Sequence, residues 1–155
     1  MTKPRPQPQT KTKVAPSVEE AVFLGLLRTA DLLSRRPAQV LKAADLSPNQ
    51  YNVLRILRGA PEGLPCGEIG NRMITRDPDI TRLLDRLEKR DLISRSRDTK
   101  DRRTVLTKIT PEGLKLLARL DGPMQSAHRE QLGHLGRERM RRLSELLDES
   151  CRMVP

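Results

Sequence analysis

Arginine and lysine side chains recur in two adjoining stretches of this sequence, and both stretches suit contact with a polyanion. Between residues 80 and 89, apolar residues recur at i, i+3, i+4 and i+7, which places Arg82, Arg86 and Lys89 on the opposite face of a helix. Residues 98–103 form a second, turn-like cluster of charges. Guanidinium groups bind phosphates and the edges of guanine. Because a helix fits the DNA major groove and a two-stranded ribbon reaches the neighbouring backbone or minor groove, the pair indicates double-stranded DNA as the partner.

The overall charge agrees with a polyanionic partner. The 155 residues include 30 Lys and Arg against 20 Asp and Glu, a formal net charge of +10. Nucleic acid and an anionic membrane would both suit such a chain. The sequence has neither a long apolar run nor the apolar core of a signal peptide, so we expect a soluble, cytoplasmic protein with no membrane partner.

The length suits one domain, and the apolar content is low. Hydrophobic residues make up 35% of the sequence, below the roughly 45–50% of an average globular protein. A helical chain with so thin a core often completes its burial by pairing with a second copy. We therefore expect a homodimer.

Helical and alternating patterns follow one another in the order of a winged helix-turn-helix. The expected fold class is mainly α with a small β-hairpin, in which a winged helix is flanked by N- and C-terminal dimerisation helices. A basic arm over residues 1–16 is predicted to be disordered, and a solvated tail is favoured over an arm that touches DNA. The predicted elements are a helix from Ser17 to about Ser34, a helix from Pro48, a short helix at 66–73, a helix opening at Asp77 and Pro78, a hairpin at 92–97 and 104–110, a long helix from Pro111 interrupted near Gly122 and Pro123, and a helix at about 137–152.

The second half of this pattern resembles the multiple-antibiotic-resistance regulator (MarR) family. The resemblance lies in DPDITRLLDRLEKRDLI, which starts at Asp77, and in RSRDTKDRRTVLTKITPEGLKLL, which starts at Arg95. Its most specific parts are the Asp-x-Arg of the hairpin and the Thr-Pro-Glu-Gly that restarts a helix; weaker similarity extends over residues 17–152. The resemblance implies a single domain over residues 17–155, with a winged helix at about 47–110 and dimerisation helices at about 17–35 and 111–153.

The resemblance further implies a sequence-specific transcriptional regulator, with repression as the favoured sign. Such a homodimer presents two winged helices to successive major grooves of a palindromic operator. By carry-over, the fourth helix supplies Thr81, Arg82 and Arg86 as base and phosphate contacts, and Arg76 just before it meets a phosphate. Three acids of the same helix region, which we expect to orient the arginines, are Asp79, Asp85 and Glu88.

The same carry-over assigns roles to residues of the wing, which is the predicted hairpin at 92–97 and 104–110 together with the turn that joins its strands. Arg103 becomes the minor-groove residue and Asp101 its orienting partner, while Arg97, Lys100 and Arg102 add charge near the backbone. On an isolated hairpin, such a run would be read as a solvated turn.

One position departs from the family pattern. Asp91 stands where the family usually has Gly, directly after the fourth helix. Asp tolerates the left-handed conformation of that position at a cost on the order of 1 kcal/mol. We expect the fold to persist with Asp91 in this conformation.

A small-molecule effector is a further implied partner. Many members of the family release DNA when a small, often phenolic molecule binds between the dimer helices and the DNA-binding lobe. Phe23 and Tyr51 are the only aromatic residues available to line such a pocket, so an aromatic ligand would find little stacking and the identity of the effector stays open.

The remaining chemistry-bearing residues do not indicate an enzyme, a metal or a cofactor. Cys66 and Cys151 lack metal-ligand spacing. Cys66 opens the third helix, where the helix dipole could activate its thiol, although a simply packed side chain is favoured over a redox role. His128 and His134 are six residues apart and do not share a helix face. No nucleophile motif or phosphate-binding loop occurs.

Two alternatives to an operator-binding regulator remain open from the sequence. One is a winged-helix module whose wing binds a protein partner. The other is a nonspecific chromosome-binding protein that uses the basic arm and the wing.

Overall fold

The computed structural model describes residues 15–99 and 101–152. These residues form two compact units: the first ends at Leu32 and the second begins at Leu33. Lys100 and almost all of the predicted basic arm lie outside the described residues. The helices are α1 (Val18–Ala43), α2 (Pro48–Arg58), α3 (Cys66–Arg72), α4 (Ile80–Lys89), α5 (Pro111–Leu132) and α6 (Gly136–Arg152), and the strands are β1 (Leu64–Pro65), β2 (Ile93–Arg97) and β3 (Val105–Ile109). The predicted fold class, mainly α with a small hairpin, is confirmed. No helix in the described part of the chain combines the length and the apolar character needed to cross a bilayer.

Two helices are longer than predicted, and each contains a proline. α1 continues beyond Ser34 to Ala43 with Pro37 inside it, and α5 is not interrupted near Pro123. A proline removes one helical hydrogen bond and crowds the preceding turn. Burial on the far side of each proline favours continuation: Leu41 in α1 is buried, and so are Met124 and Ala127 in α5. Tertiary packing therefore outweighs the local stop signal.

The start of α2 follows its sequence signal. The Ser47 hydroxyl accepts a hydrogen bond from the Gln50 N–H, and the Gln50 side chain accepts one from the Ser47 N–H. This reciprocal capping box satisfies two amide groups at the helix start. The α2 helix begins at Pro48, as predicted.

The sheet has one strand more than the predicted hairpin. The strand order is β1-β3-β2 with antiparallel pairing, and the two residues of β1 pair with Thr107 and Leu106 of β3. The sequence gives little sign of β1 because two residues are too few to show alternation.

The hydrophobic core lies in the second unit, where it supports α4 and the wing. Its fully buried members come from α2, α3, α4, β2 and α5: Val53, Leu54, Leu57, Ile69, Leu84, Leu87, Ile93 and Leu117. The packing is close where α5 begins, because a Cβ on Gly113 would lie 2.3 Å from the Leu92 carbonyl oxygen. Residue 113 therefore has no room for a larger side chain.

A tight link joins α4 to β2. Asp91 has φ 54°, and the Leu92 N–H donates to the Leu87 carbonyl, so the helix ends in the expected left-handed turn. The Thr110 hydroxyl donates to the Asp91 carbonyl and accepts from the Gly113 N–H, which anchors the start of α5 at the same point. The wing thus leaves α4 in a defined direction.

Candidate nucleic-acid interface

The α4 helix is amphipathic, as its sequence predicts. Leu83, Leu84 and Leu87 are buried in the core, whereas Thr81, Arg82, Arg86 and Lys89 are exposed. Burial of one leucine-rich face holds the opposite face outward without a cost in desolvated charge. The exposed face therefore offers hydroxyl and cationic side chains to a partner.

The first turn of α4 is organised by Asp79 and not by Asp77. The Asp79 carboxylate accepts a hydrogen bond from the Arg82 N–H and also lies 3.1 Å from the Arg82 Nε. The helix consequently begins at Ile80, two residues later than predicted. Arg82 remains 77% exposed, so the ion pair restrains the guanidinium and leaves most of its surface open.

The other two acids of α4 bind an arginine of the wing. Arg95 in β2 donates to Asp85 Oδ1 at 2.6 Å and to Glu88 Oε2 at 2.5 Å. The Arg95 guanidinium holds the pKa of the Glu88 carboxyl below its ordinary value. These carboxylates therefore tie α4 to the wing, whereas the sequence predicted that they would orient arginines of α4.

The turn between β2 and β3 is ordered by Asp101 through the backbone. Its carboxylate accepts from the Arg103 N–H at 3.0 Å and from the Thr104 hydroxyl at 3.1 Å. The predicted pairing of Asp101 with Arg103 thus occurs at the amide of Arg103. The Arg102 and Arg103 side chains are exposed.

Most of the nominated arginines are free to bind anions. Within the described residues, no carboxylate lies at ion-pair distance from Arg76, Arg86, Arg97, Arg102 or Arg103. Arg82 is the exception through Asp79. An arginine without a carboxylate partner gives up no ion pair when it binds a phosphate.

Two asparagines of α2 hold the segment that leads into α4, and sequence reasoning missed both. The Asn52 amide oxygen accepts from the Ile74 N–H at 2.9 Å. The Asn49 amide nitrogen donates to Asp77 Oδ2 at 2.8 Å. Hydrogen bonds from Asn49 and from the Asp79 N–H lower the pKa of Asp77. Asn52 and Ile74 are 22 positions apart, and Asn49 and Asp77 are 28 positions apart. Periodicity carries no signal over such separations.

Arg95 was also missed. Its signal in the sequence is weak: an arginine on a strand beside a helix that carries Asp85 and Glu88 three residues apart. Only the packing of β2 against α4 brings these groups together.

The residues nominated for an effector pocket have different environments. Tyr51 is buried in the core of the second unit, with the Arg55 guanidinium 5.9 Å from its ring centroid. Phe23 belongs to the first unit and is 60% exposed. Cys66 is half-buried at the start of α3, and Cys151 is exposed.

Comparison with known proteins gives a consistent result. The model of the MarR family matches residues 46–105. The transcriptional regulator PecS of Dickeya dadantii is 30% identical over 133 residues, which cover 84% of this chain and 80% of PecS. A crystal structure of a MarR transcription factor from Planctomyces limnophilus has 37% identity and a TM-score of 0.66, covering 87% of this chain and 98% of that one. A structure of NadR in complex with 4-hydroxyphenylacetate has 28% identity and a TM-score of 0.71, covering 94% and 99%.

Proposed function

Because the chain belongs to the MarR family of transcriptional regulators, we propose that it binds a palindromic DNA operator as a homodimer and places one α4 in each of two successive major grooves. The observation that carries this proposal is the exposed face of α4, where Thr81, Arg82 and Arg86 stand beside a wing that bears free arginines. Half-site centres about one helical turn apart are expected. A dimer on such a site would exclude RNA polymerase from an overlapping promoter, which makes repression the expected sign.

The arginines have different roles in this proposal. Arg82 is restrained by Asp79, and a restrained guanidinium loses less rotamer freedom when it forms two hydrogen bonds to guanine. Arg76, Arg86, Arg97 and Arg102 supply charge to phosphates. In the wing, Arg103 enters the minor groove with Asp101 as its orienting partner, and Lys100 adds charge near the backbone. Phosphate contacts position the protein, and base contacts select the sequence.

Exposed apolar side chains support the homodimer. No residue of α6 is buried within the single chain, although Leu143, Leu146 and Leu147 recur at helical spacing along it. The N-terminal part of α1 likewise exposes Val18, Val22, Phe23, Leu26 and Leu27. A second copy is the occupant that a MarR-like dimer supplies for such surfaces.

An effector is the final part of the proposal. NadR was crystallised with 4-hydroxyphenylacetate, and by analogy a small molecule would lower the DNA affinity of this protein.

The test uses the full chain and DNA duplexes that the protein selects from a randomised library. Fluorescence anisotropy then compares the selected duplex with a scrambled copy over a series of salt concentrations. A preference of about 10³ or more for the selected duplex is expected. Selection without a consensus, or equal and steeply salt-dependent binding to both duplexes, would contradict sequence-specific binding and favour chromosome coating. Failure to bind either duplex would favour a protein partner for the wing.

A pair of variants then separates base reading from charge. Arg82→Ala should weaken binding to the selected duplex by roughly 1–3 kcal/mol and should relax the sequence preference. Arg102→Ala, the matched control, should weaken binding to both duplexes alike. It should also reduce the slope of log affinity against log salt concentration by about one. An equal loss on both duplexes for Arg82→Ala would show that Arg82 does not read bases.

A further inference from the structure

The most exposed large hydrophobic side chain among the described residues is Ile74, which is 85% accessible to solvent. It lies in the segment between α3 and α4, outside the apolar faces of α1 and α6. Its neighbours Thr75 and Arg76 are also exposed. Ile74 thus places an apolar group on the same exposed surface as an arginine that has no carboxylate at ion-pair distance among the described residues.

The exposure of Ile74 is maintained by its backbone. The Ile74 N–H donates to Asn52, and Asp77 accepts from Asn49. Asn49 and Asn52 are three residues apart on α2. The earlier asparagine, Asn49, binds the later residue of the segment, Asp77, and Asn52 binds Ile74. Residues 74–77 therefore run antiparallel to α2. Asp77 also accepts from the Asp79 N–H at 3.0 Å. Both ends of this short segment are therefore fixed.

Ile74 lies close in sequence to the start of α4, the helix proposed to enter the major groove. Asp77 lies two residues before Asp79, which caps α4, and Ile74 can be at most about 10 Å from Asp77 along the chain. The N-terminal residues of a recognition helix are those that meet base edges. Among the groups that base pairs present in the major groove, the thymine C5-methyl is the apolar one.

We propose that Ile74 contacts the C5-methyl group of a thymine in each half-site, so that the segment before α4 is a second sequence-reading element. Asn49 and Asn52 are its positioning residues. This inference rests on the proposed function, because it requires α4 to enter the major groove. The exposed, unpaired Arg76 two residues away favours a polyanionic partner over an apolar protein surface.

The experiment removes the methyl group from the DNA and the side chain from the protein. In the duplex selected by the full chain, each thymine is replaced by deoxyuridine, which lacks only the C5-methyl. For the unsubstituted protein, replacement at one thymine of a half-site should weaken binding about fourfold, and replacement in both half-sites about 15-fold, the effect of losing one buried methyl per site. With Ile74→Ala, the same replacement should have no effect, whereas Ile74→Val should retain most of it.

The positioning residues are tested in the same way. Asn52→Ala and Asn49→Ala should reduce the dependence on the methyl group while leaving the affinity for scrambled DNA and its salt dependence unchanged. A merely structural role would lower all affinities together.

Two results would overturn the inference and leave the proposed function intact. One is a selected duplex in which no thymine shows a methyl effect; the other is a methyl effect of the same size in Ile74→Ala. Selection without any consensus would instead contradict the proposed function itself.

Discussion

Two aspartates occupy the left-handed position after a helix, where glycine is usual. Asp45 and Asp91 have φ 52° and 54°. In each case the next N–H donates back to the helix, from Leu46 to the Leu41 carbonyl and from Leu92 to the Leu87 carbonyl. A residue with a Cβ is strained in this conformation, so both aspartates lower the stability of the folded state relative to glycine.

Substitution by glycine should recover that stability. Asp91→Gly is expected to raise the free energy of unfolding by up to about 1 kcal/mol, less the entropy that glycine adds to the unfolded chain. Asp45→Gly tests the same backbone effect at nearly the same φ, at a site where glycine also removes an exposed carboxylate 3.8 Å from the Arg90 guanidinium. Urea denaturation measures both; a loss of more than about 1 kcal/mol for Asp91→Gly would show that the Asp91 side chain has a stabilising contact.

Asp79 has two separable tasks, capping α4 and restraining Arg82. Asp79→Ser keeps a capping oxygen, so the free energy of unfolding should change by only a few tenths of a kcal/mol, whereas Asp79→Ala should lose about 1 kcal/mol. Both variants release the Arg82 guanidinium and should lower the preference for the selected duplex. An unchanged preference in Asp79→Ser would show that the ion pair has no part in reading.

At the scale of elements, the junction between α4 and the wing is held on one side by Arg95. Arg95 of β2 binds Asp85 and Glu88 near the end of α4. The link through Asp91 and Thr110 fixes the other side of the junction. In the proposed complex, α4 and the wing contact DNA together, so their mutual orientation should affect DNA affinity more than stability.

Arg95→Gln tests this orientation. Loss of the partly exposed ion pairs should cost roughly 1 kcal/mol or less in stability, while affinity for the selected duplex should fall about tenfold. Arg97→Gln removes the same charge from the same strand without breaking an ion pair, and it should weaken binding to selected and scrambled DNA equally. Equal behaviour of the two variants in anisotropy titrations would refute an orienting role for Arg95.

The same ion pair makes stability depend on pH. Since the folded-state pKa of Glu88 lies below its ordinary value of 4.5, its contribution is complete above that value and is lost as the pH falls through the lowered pKa. The difference in melting temperature between the natural protein and Glu88→Gln should thus be complete at about pH 7 and should shrink as the pH falls through the lowered pKa of Glu88. A difference that stays constant over this range would exclude the ionised carboxylate as its source.

At the scale of the whole molecule, the core of the second unit holds α4 and the wing, while α6 and the N-terminal part of α1 expose apolar side chains. In the proposed homodimer, these faces would be buried against a second copy, and two winged helices would be brought onto one DNA. Dimer stability and operator affinity should therefore be linked.

Leu143→Glu tests this link. Leu143 lies on the apolar face of α6, and a charge there should oppose burial against a second copy, so sedimentation should show a monomer. Affinity for a two-site operator should fall by about 100-fold or more, because the second half-site no longer adds to the first. Arg141→Gln changes the net charge equally on the opposite face and should remain dimeric. A dimeric Leu143→Glu would exclude α6 as the main interface.

Much of this molecule could be predicted because its signals are local. Leucine spacing defines the buried face of α4, Ser47 marks the start of α2, and Asp91 predicts its own left-handed turn. The most specific resemblance to MarR regulators rests on two neighbouring stretches of sequence, 77–93 and 95–117. Helix faces, caps and turns depend on residues within a few positions of each other, and for this reason the sequence alone determined the fold class and the exposed basic face of α4 that we propose as the DNA-binding surface.

Only the tertiary structure decided which charged and polar groups pair across elements. Asp85 and Glu88 bind Arg95 of the wing, and Asn52 holds Ile74 from 22 residues away. Packing also allows α1 to continue past Pro37 and α5 to continue past Pro123. These outcomes depend on which surfaces the core brings together, and the free energy of that packing is a property of the whole chain rather than of any one segment.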